Sequence, residues 1–113
     1  MRGVQMLETN GRKFVKFNFY KVDPLWRRLS PDERADTRRE FSAVVDELAT
    51  GMMVLSYSLV GLRADADFLL WEAAESLEHI QEAATRLWST RLGSYLTQPY
   101  SFLAMTRRSR YLG

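Results

Sequence analysis

The pattern of apolar and polar residues divides the chain into four strand-like stretches and two helix-like ones. In the first stretch, KFVKFNFYKV at 13–22, Val15, Phe17 and Phe19 share one face. A period of two is typical of a β-strand. The Asp-Pro pair at 23–24 ends this predicted strand, because proline donates no ladder hydrogen bond and restricts the residue before it.

A helix is predicted from Asp32 to Ala49. Ser30 and Glu33 have the spacing of a capping box, and Pro31 suits the first helical position. Gly51 follows the last turn, where glycine commonly ends a helix. Apolar residues recur on one side of this helix at Ala35, Phe41, Val44, Val45 and Leu48.

A β-hairpin is predicted to follow this helix. The runs MMVLSYSLVG at 52–61 and DFLLWEA at 67–73 are rich in β-branched and aromatic residues, and the short connector LRAD at 62–65 lies between them. A connection this brief joins only antiparallel neighbours, so the two strands are expected to pair directly.

A second helix and a fourth strand follow the hairpin. Ser76 is the predicted N-cap of the helix, which ends near Gly93, and Gln98-Pro99 marks a turn before the strand YSFLAMT at 100–106. The apolar stripe of this helix is Leu77, Ile80, Ala84, Leu87 and Trp88. The order β-α-β-β-α-β predicts an α+β protein with the ferredoxin-like fold (βαββαβ), whose four-stranded antiparallel sheet carries both helices on one face.

The sheet face opposite the helices is predicted to be an interface. Large apolar side chains lie on both faces of the hairpin, with Leu55 and Tyr57 on one side and Phe68 and Leu70 on the other. Exposed apolar patches beyond a few hundred Å² usually mark contact surfaces. We therefore expect a homo-oligomer partner or a second ferredoxin-like domain to cover this face, as in folds of the dimeric α+β barrel type.

Length and composition narrow the picture. A chain of 113 residues, 46% hydrophobic, makes one globular domain. We assign 1–12 as an N-terminal extension, 13–108 as the ferredoxin-like domain and 109–113 as a C-terminal tail. No apolar run approaches the roughly 20 residues that span a bilayer, and MRGVQMLETNGRKF lacks the apolar core of a signal peptide. The chain is therefore predicted to be cytoplasmic, with no membrane partner.

The charge pattern does not favour nucleic acid as a partner. Sixteen cations against fourteen anions give a net charge of +2, and thirteen of the cations are arginines. The basic-aromatic signature that RNA-binding sheets of this topology carry is absent. Arginine at this density suits ion pairs, and Asp65 and Asp67 flank the hairpin bend within reach of Arg63.

No catalytic or metal-binding residue is predicted. The chain has no cysteine, and a single histidine, His79, cannot build a structural zinc site without one.

As an alternative, the chain could be a small dimeric α+β barrel protein, either ligand-binding or monooxygenase-like, with a pocket between paired sheets. That pocket would be lined by Asn18, Tyr20, Tyr57, Trp71 and Met105.

Three segments carry a resemblance to a known family: FVKFNFYKVDPLWRRLSPDERADTRREF, SYSLVGLRADADFLLW and PYSFLAMTRRSRY. They resemble the first half of the chlorite dismutase-like haem protein family, which includes chlorite-decomposing oxidoreductases and coproheme decarboxylases. The resemblance implies two ferredoxin-like domains in tandem with packed sheets, rings of subunits, and haem b or coproheme as cofactor. It makes this chain a structural and oligomerising half domain, and whether the chain is itself an enzyme stays open.

The resemblance also implies where the haem iron would be held. Family members carry the proximal histidine on the first helix of the second domain. If the two halves are internal repeats, the equivalent helix here is 32–49, and Glu40-Phe41 stand near the matching position. Because phenylalanine cannot ligate iron, this chain is expected to supply no iron ligand and not to be catalytic alone.

A further set of residues is implied at the end of the last strand. Coproheme decarboxylases carry a tyrosine, a methionine and a lysine on the strand that leaves the first domain. Met105 and Arg107 match the methionine and the lysine, while Leu103 stands at the position of the tyrosine. Met105, Arg107 and Arg108 are thus the expected cofactor-binding set, since guanidinium groups form charge-assisted hydrogen bonds with haem propionates.

Overall fold

The computed structural model describes residues 13–106, and its elements follow the predicted order. Two short 3₁₀ helices, Pro24–Arg28 and Leu92–Tyr95, precede the first helix and the last strand. The strands form one antiparallel sheet in the order β2-β3-β1-β4, which confirms the α+β ferredoxin-like prediction. The elements are β1 (Phe14–Val22), α1 (Pro31–Leu48), β2 (Met53–Ser58), β3 (Phe68–Ala74), α2 (Leu77–Trp88) and β4 (Leu96–Met105).

The start of α1 is fixed by the predicted capping box. The Ser30 hydroxyl accepts a hydrogen bond from the Glu33 amide at 3.1 Å, and the Glu33 carboxylate accepts one from the Ser30 amide at 3.4 Å. These contacts satisfy two amides that would otherwise lack partners at the helix start. The helix ends at Leu48, one residue before the predicted end, with Ala49 as its C-cap.

Both helices pack on the same face of the sheet, around Tyr20 of β1 and Leu70 of β3. Phe41 of α1 and Leu87 of α2 close over these two side chains, and Phe68 stacks on Tyr20 with ring centroids 5.0 Å apart. Burying such a side chain stabilises the fold by roughly 1.5–3 kcal/mol. The opposite face is covered by neither helix.

The buried stripe of α2 differs from the prediction. Its buried residues are Ile80, Ala83 and Leu87, whereas Leu77 and Trp88 are exposed. The helix also ends at Trp88 rather than near Gly93. Gly93 serves a different purpose, because a Cβ atom there would lie 2.6 Å from the Leu87 carbonyl oxygen. Glycine therefore allows a close backbone approach just after the helix.

The last strand begins earlier than predicted. β4 starts at Leu96, so the predicted turn at Gln98-Pro99 is wrong. Register with β1 shifts between the pairs Phe19–Tyr100 and Lys21–Thr97, which leaves Gln98 and Pro99 in a bulge. Proline is tolerated there because β4 is an edge strand and a bulge leaves a residue unpaired.

The predicted hairpin is present, with a shorter first strand and a second strand of the predicted length that lies one residue later. β2 ends at Ser58 and β3 begins at Phe68, and the strands pair antiparallel from Met53–Ala73 to Ser58–Phe68. The connecting loop turns at Gly61, whose φ of 82° favours glycine. Neither helix within residues 13–106 combines the length and apolarity needed to cross a bilayer. The domain boundaries at residues 12 and 108 stay predictions.

Candidate functional site

The sheet face away from the helices, called here the open face, is apolar from Val15 to Phe19 of β1 and at the strand positions paired with them. Strand register assigns alternate residues of all four strands to it. The same alternation brings Lys21 to this side beyond Phe19, where its Nζ donates a hydrogen bond to the Ala64 carbonyl. The Phe102 side chain on this face is 55% exposed. The open face consists of Val15, Phe17, Phe19, Met53, Leu55, Tyr57, Leu69, Trp71, Ala73, Tyr100, Phe102 and Ala104.

Aromatic rings form two contacting groups on the open face. Phe19 meets Tyr100 and Phe102 edge to face, with ring centroids 6.1 Å and 6.2 Å away. Phe17 and Trp71 lie 6.2 Å apart on the two central strands. Such pairs add about 0.5–1.5 kcal/mol beyond area burial. These contacts favour the side-chain arrangement that a packing surface would meet.

A charged pair stands at one end of the open face. The Arg63 guanidinium lies 5.2 Å from the Phe19 ring centroid and 5.0 Å from that of Tyr100. It also donates two hydrogen bonds of 2.8 Å to the Asp65 carboxylate, which lower the pKa of Asp65 to about 2. Of the two aspartates that flank the hairpin bend, Asp65 is the one that pairs with Arg63. Asp67 instead accepts a hydrogen bond from the Val22 amide at 2.7 Å.

The helix-covered face of the sheet contains a hydrogen-bonded polar series, in which Asn18 and Glu72 are buried. The Ser101 hydroxyl donates to Asn18 Oδ1, and Asn18 Nδ2 donates to Glu72 Oε2, each at 3.0 Å. Glu72 is only 1% exposed, and burial raises its pKa, opposed by the Asn18 hydrogen bond and by Lys16. These hydrogen bonds were not predicted from the sequence, because the alternation of strand residues does not tell which face of the sheet the helices cover.

The pocket predicted between paired sheets is not supported by the strand register. Asn18, Tyr20 and Met105 lie on the helix-covered side of the sheet. Tyr57 and Trp71 lie on the open face. Since strand side chains alternate between faces, these five residues cannot line one cavity between two sheets, and this prediction is wrong.

A cleft of about 390 Å³ opens between α1 and the edge strand β2. Its floor includes Phe41 and Phe68, whose rings meet edge to face with centroids 5.8 Å apart. Phe41 is the residue that the family resemblance assigns near the position of an iron ligand. The lining residues are Arg38, Phe41, Ser42, Val45, Asp46, Ser56, Ser58, Phe68, Leu70 and Leu92.

The family model for chlorite dismutase matches residues 34–112 of this chain. The chain belongs to the chlorite dismutase family. It is similar to a chlorite dismutase from Candidatus Nitrospira defluvii in complex with imidazole, with a TM-score of 0.86 and 24% identity over 99% of this chain and 47% of that one. A mutant chlorite dismutase from the same organism gives a TM-score of 0.82 and 25% identity over 88% and 42%.

A third solved structure, of a haem-binding protein from Thermus thermophilus, gives a TM-score of 0.72 and 24% identity over 82% of this chain and 39% of that one. The chain thus spans less than half the length of each solved structure named here. These likenesses show the fold that the chain shares with chlorite dismutases.

The cleft of this chlorite dismutase family member does not fit an iron-binding site. None of the residues lining the cleft is a histidine, cysteine, methionine or tyrosine. His79 is exposed in the first turn of α2, where its Nδ1 lies 2.9 Å from the Ser76 hydroxyl. Within residues 13–106, no three histidine or acidic side chains cluster to hold a metal ion. We therefore derive no chemical step through haem.

The expected propionate-binding set is only partly described. Met105 is the last residue of β4, opposite Phe14, and its side chain is exposed. Leu103, at the position of the family tyrosine, is also exposed. Arg107 and Arg108 lie outside the described residues. Contact of Met105, Arg107 and Arg108 with a propionate stays a prediction.

Proposed function

We propose that this chain acts as a structural, oligomerising half domain of a chlorite dismutase-like haem protein. It packs sheet to sheet through the open face and supplies no ligand to the haem iron. The observation that carries the proposal is the open face itself, on which twelve strand positions carry no charge. On its own, the chain is expected to turn over neither chlorite nor coproheme.

The energetics of the open face support a packed rather than a free state. Removing apolar surface from water is favourable by roughly 25 cal/mol per Å². Antiparallel sheets that remain solvated on one face usually carry polar residues there. Leu55, Tyr57, Tyr100 and Phe102 are instead exposed on this face. Covering a surface of this kind with a second apolar surface lowers the free energy.

A second ferredoxin-like sheet suits the open face better than a helix or a peptide. Stacked sheets pack about 10 Å apart with interdigitating side chains, and the open face offers four strands of such side chains. The partner sheet would come from a second copy of this chain or from a second ferredoxin-like domain. That second domain would hold haem b or coproheme, with Met105, Arg107 and Arg108 on the propionate side.

Light scattering tests the sheet packing. The measured molar mass of the wild type is expected to be at least twice that of one chain. Phe102→Lys is expected to reduce it to the mass of a monomer. Leu25→Lys is the matched control, because Leu25 is 56% exposed but lies outside the sheet. A mass that neither substitution changes would overturn the proposed role of the open face.

Titration with haem b and with coproheme tests the second part of the proposal. No saturable, stoichiometric Soret shift is expected from the associated chain, because the described residues offer no iron ligand at the cleft. A stoichiometric shift that disappears in His79→Ala would show that this chain ligates iron through its single histidine. That result would replace the structural role with a haem-binding one.

A further inference from the structure

The cleft between α1 and β2 is unfilled because of two small residues. Ser56 and Ser58 point from β2 toward the helices, opposite Leu70 and Phe68 on β3. A leucine at either position would occupy much of the space above the Phe41 ring. The sequence thus leaves an aromatic and aliphatic floor accessible beside an edge strand, with hydroxyl groups on one wall.

Arg38 is the cationic residue at the rim of this cleft. The Arg38 guanidinium lies 5.4 Å from the Trp26 ring centroid, which holds the side chain in place. No carboxylate within residues 13–106 pairs with Arg38. Its neighbour Arg39, by contrast, bonds Asp36 at 2.6 Å. Arg38 is therefore positioned to receive an anionic group from a ligand.

The far end of the cleft has the opposite charge. Asp46 follows Arg38 by eight residues on α1, which separates the two Cα atoms by about 12 Å. A ligand with an anionic group at each end would meet repulsion at Asp46. The charges of the rim thus favour one anionic group, at the Arg38 end.

We propose that the cleft binds a small aromatic monocarboxylate. Its ring packs on Phe41 and Phe68, and its carboxylate accepts hydrogen bonds from the Arg38 guanidinium and the Ser42 hydroxyl. A volume of about 390 Å³ is within the range of small-molecule sites. The cleft lies on the helix-covered side of the sheet, so a ligand there would not compete with a partner on the open face.

Amide chemical-shift titration of the isotope-labelled chain tests this site, with naphthoate as probe and naphthamide as its neutral counterpart. Saturable shifts are expected around Phe41 and Ser56, with tighter binding of naphthoate. Arg38→Gln should weaken naphthoate by about fivefold, the scale of an exposed ion pair, and leave naphthamide unchanged. Arg39→Gln, one residue away and already paired, should change neither affinity.

Filling the cleft gives an independent test. Ser56→Leu should abolish binding of both probes, while Ser56→Ala should retain it. Shifts confined to the open face, or equal binding by wild type and Ser56→Leu, would overturn the proposal. Absence of saturation in the wild type would overturn it as well. Phe102→Lys, which tests the sheet packing, should leave naphthoate binding unchanged. The two proposals can therefore fail independently.

Discussion

The two faces of the sheet differ in how they combine burial and polarity. The helix-covered face contains Asn18 and Glu72, which are polar and buried. The twelve residues of the open face carry no charge, yet Leu55 and Phe102 are exposed. Buried positions are normally apolar, and a solvated sheet face is normally polar. The sheet is therefore composed for burial on both sides, although the described helices cover one.

The polar residues of the covered face are tolerated because each has a partner. Within residues 13–106, no buried side-chain nitrogen or oxygen lacks a hydrogen bond. A satisfied polar series fixes the alignment of β1, β3 and β4, since Asn18 bonds to both Glu72 and Ser101. On the covered face these hydrogen bonds add to the apolar packing around Tyr20 and Leu70, whereas no helix within residues 13–106 packs on the open face.

The largest expected contrast comes from matched leucine truncations on the two faces. Leu70 is 1% exposed and Leu55 is 42% exposed. Leu70→Ala should lower the free energy of unfolding by about 2–5 kcal/mol at any protein concentration. Leu55→Ala should lower it by less than about 1 kcal/mol in dilute solution. Denaturant unfolding over a range of protein concentrations measures both.

Concentration sharpens this comparison. If the open face is the association surface, Leu55→Ala should become more destabilising as the protein associates, because binding stabilises the folded state by mass action. The effect of Leu70→Ala should not change. A concentration-independent effect of Leu55→Ala would separate the open face from any association seen by light scattering.

A smaller effect is expected from breaking the polar series. Asn18→Ala removes the hydrogen-bond donor to Glu72 and leaves a buried carboxyl oxygen unpaired. Leaving such a group unsatisfied costs about 1–3 kcal/mol. Ser101→Ala serves as the comparison, because Ser101 is exposed and water can replace its hydroxyl. Equal losses from the two variants in urea unfolding would contradict a special role for the buried carboxyl.

Local elements of the fold could be predicted because their signals lie within a few residues. The capping box of Ser30 and Glu33 is a contact across three residues, and it predicts the start of α1. The Arg63–Asp65 pair is likewise local. The order of such elements then sufficed for the ferredoxin-like topology, because few arrangements of β-α-β-β-α-β bury both helices on one sheet.

Features that depend on distant contacts were missed. The bulge at Pro99 depends on the register between β4 and β1, which are far apart in the chain. Which face of β1 receives the helices is likewise fixed by packing, so Asn18 and Tyr20 were assigned to a pocket between sheets that they cannot line. The cleft beside Phe41 of α1 depends on the small side chain of Ser56 on β2, which is distant in sequence, so no local pattern predicts it.

The buried Glu72 and the exposed Asp65 make the free energy of unfolding depend on pH in opposite directions, because their pKa values are shifted in opposite directions. The raised pKa of Glu72 means that the folded state holds this proton more tightly than the unfolded chain. Its contribution to stability is therefore present at low pH and lost as pH rises from about 4.5 through the raised value. Asp65 acts the other way, since its pKa of about 2 is lowered from 3.8 and stability is lost on acidification between those values.

Glu72→Gln isolates the buried group, because glutamine can still accept the Asn18 hydrogen bond but does not titrate. Relative to this variant, wild type should lose stability as pH rises above about 4.5, which urea unfolding at a series of pH values would measure. Glu82→Gln, on the exposed side of α2, controls for the removal of one negative charge. If the free energies of unfolding of wild type and Glu72→Gln changed in parallel across this pH range, the Glu72 carboxyl would titrate alike in the folded and unfolded states. The covered face would then be more hydrated than its packing implies, and the contrast with the open face would narrow.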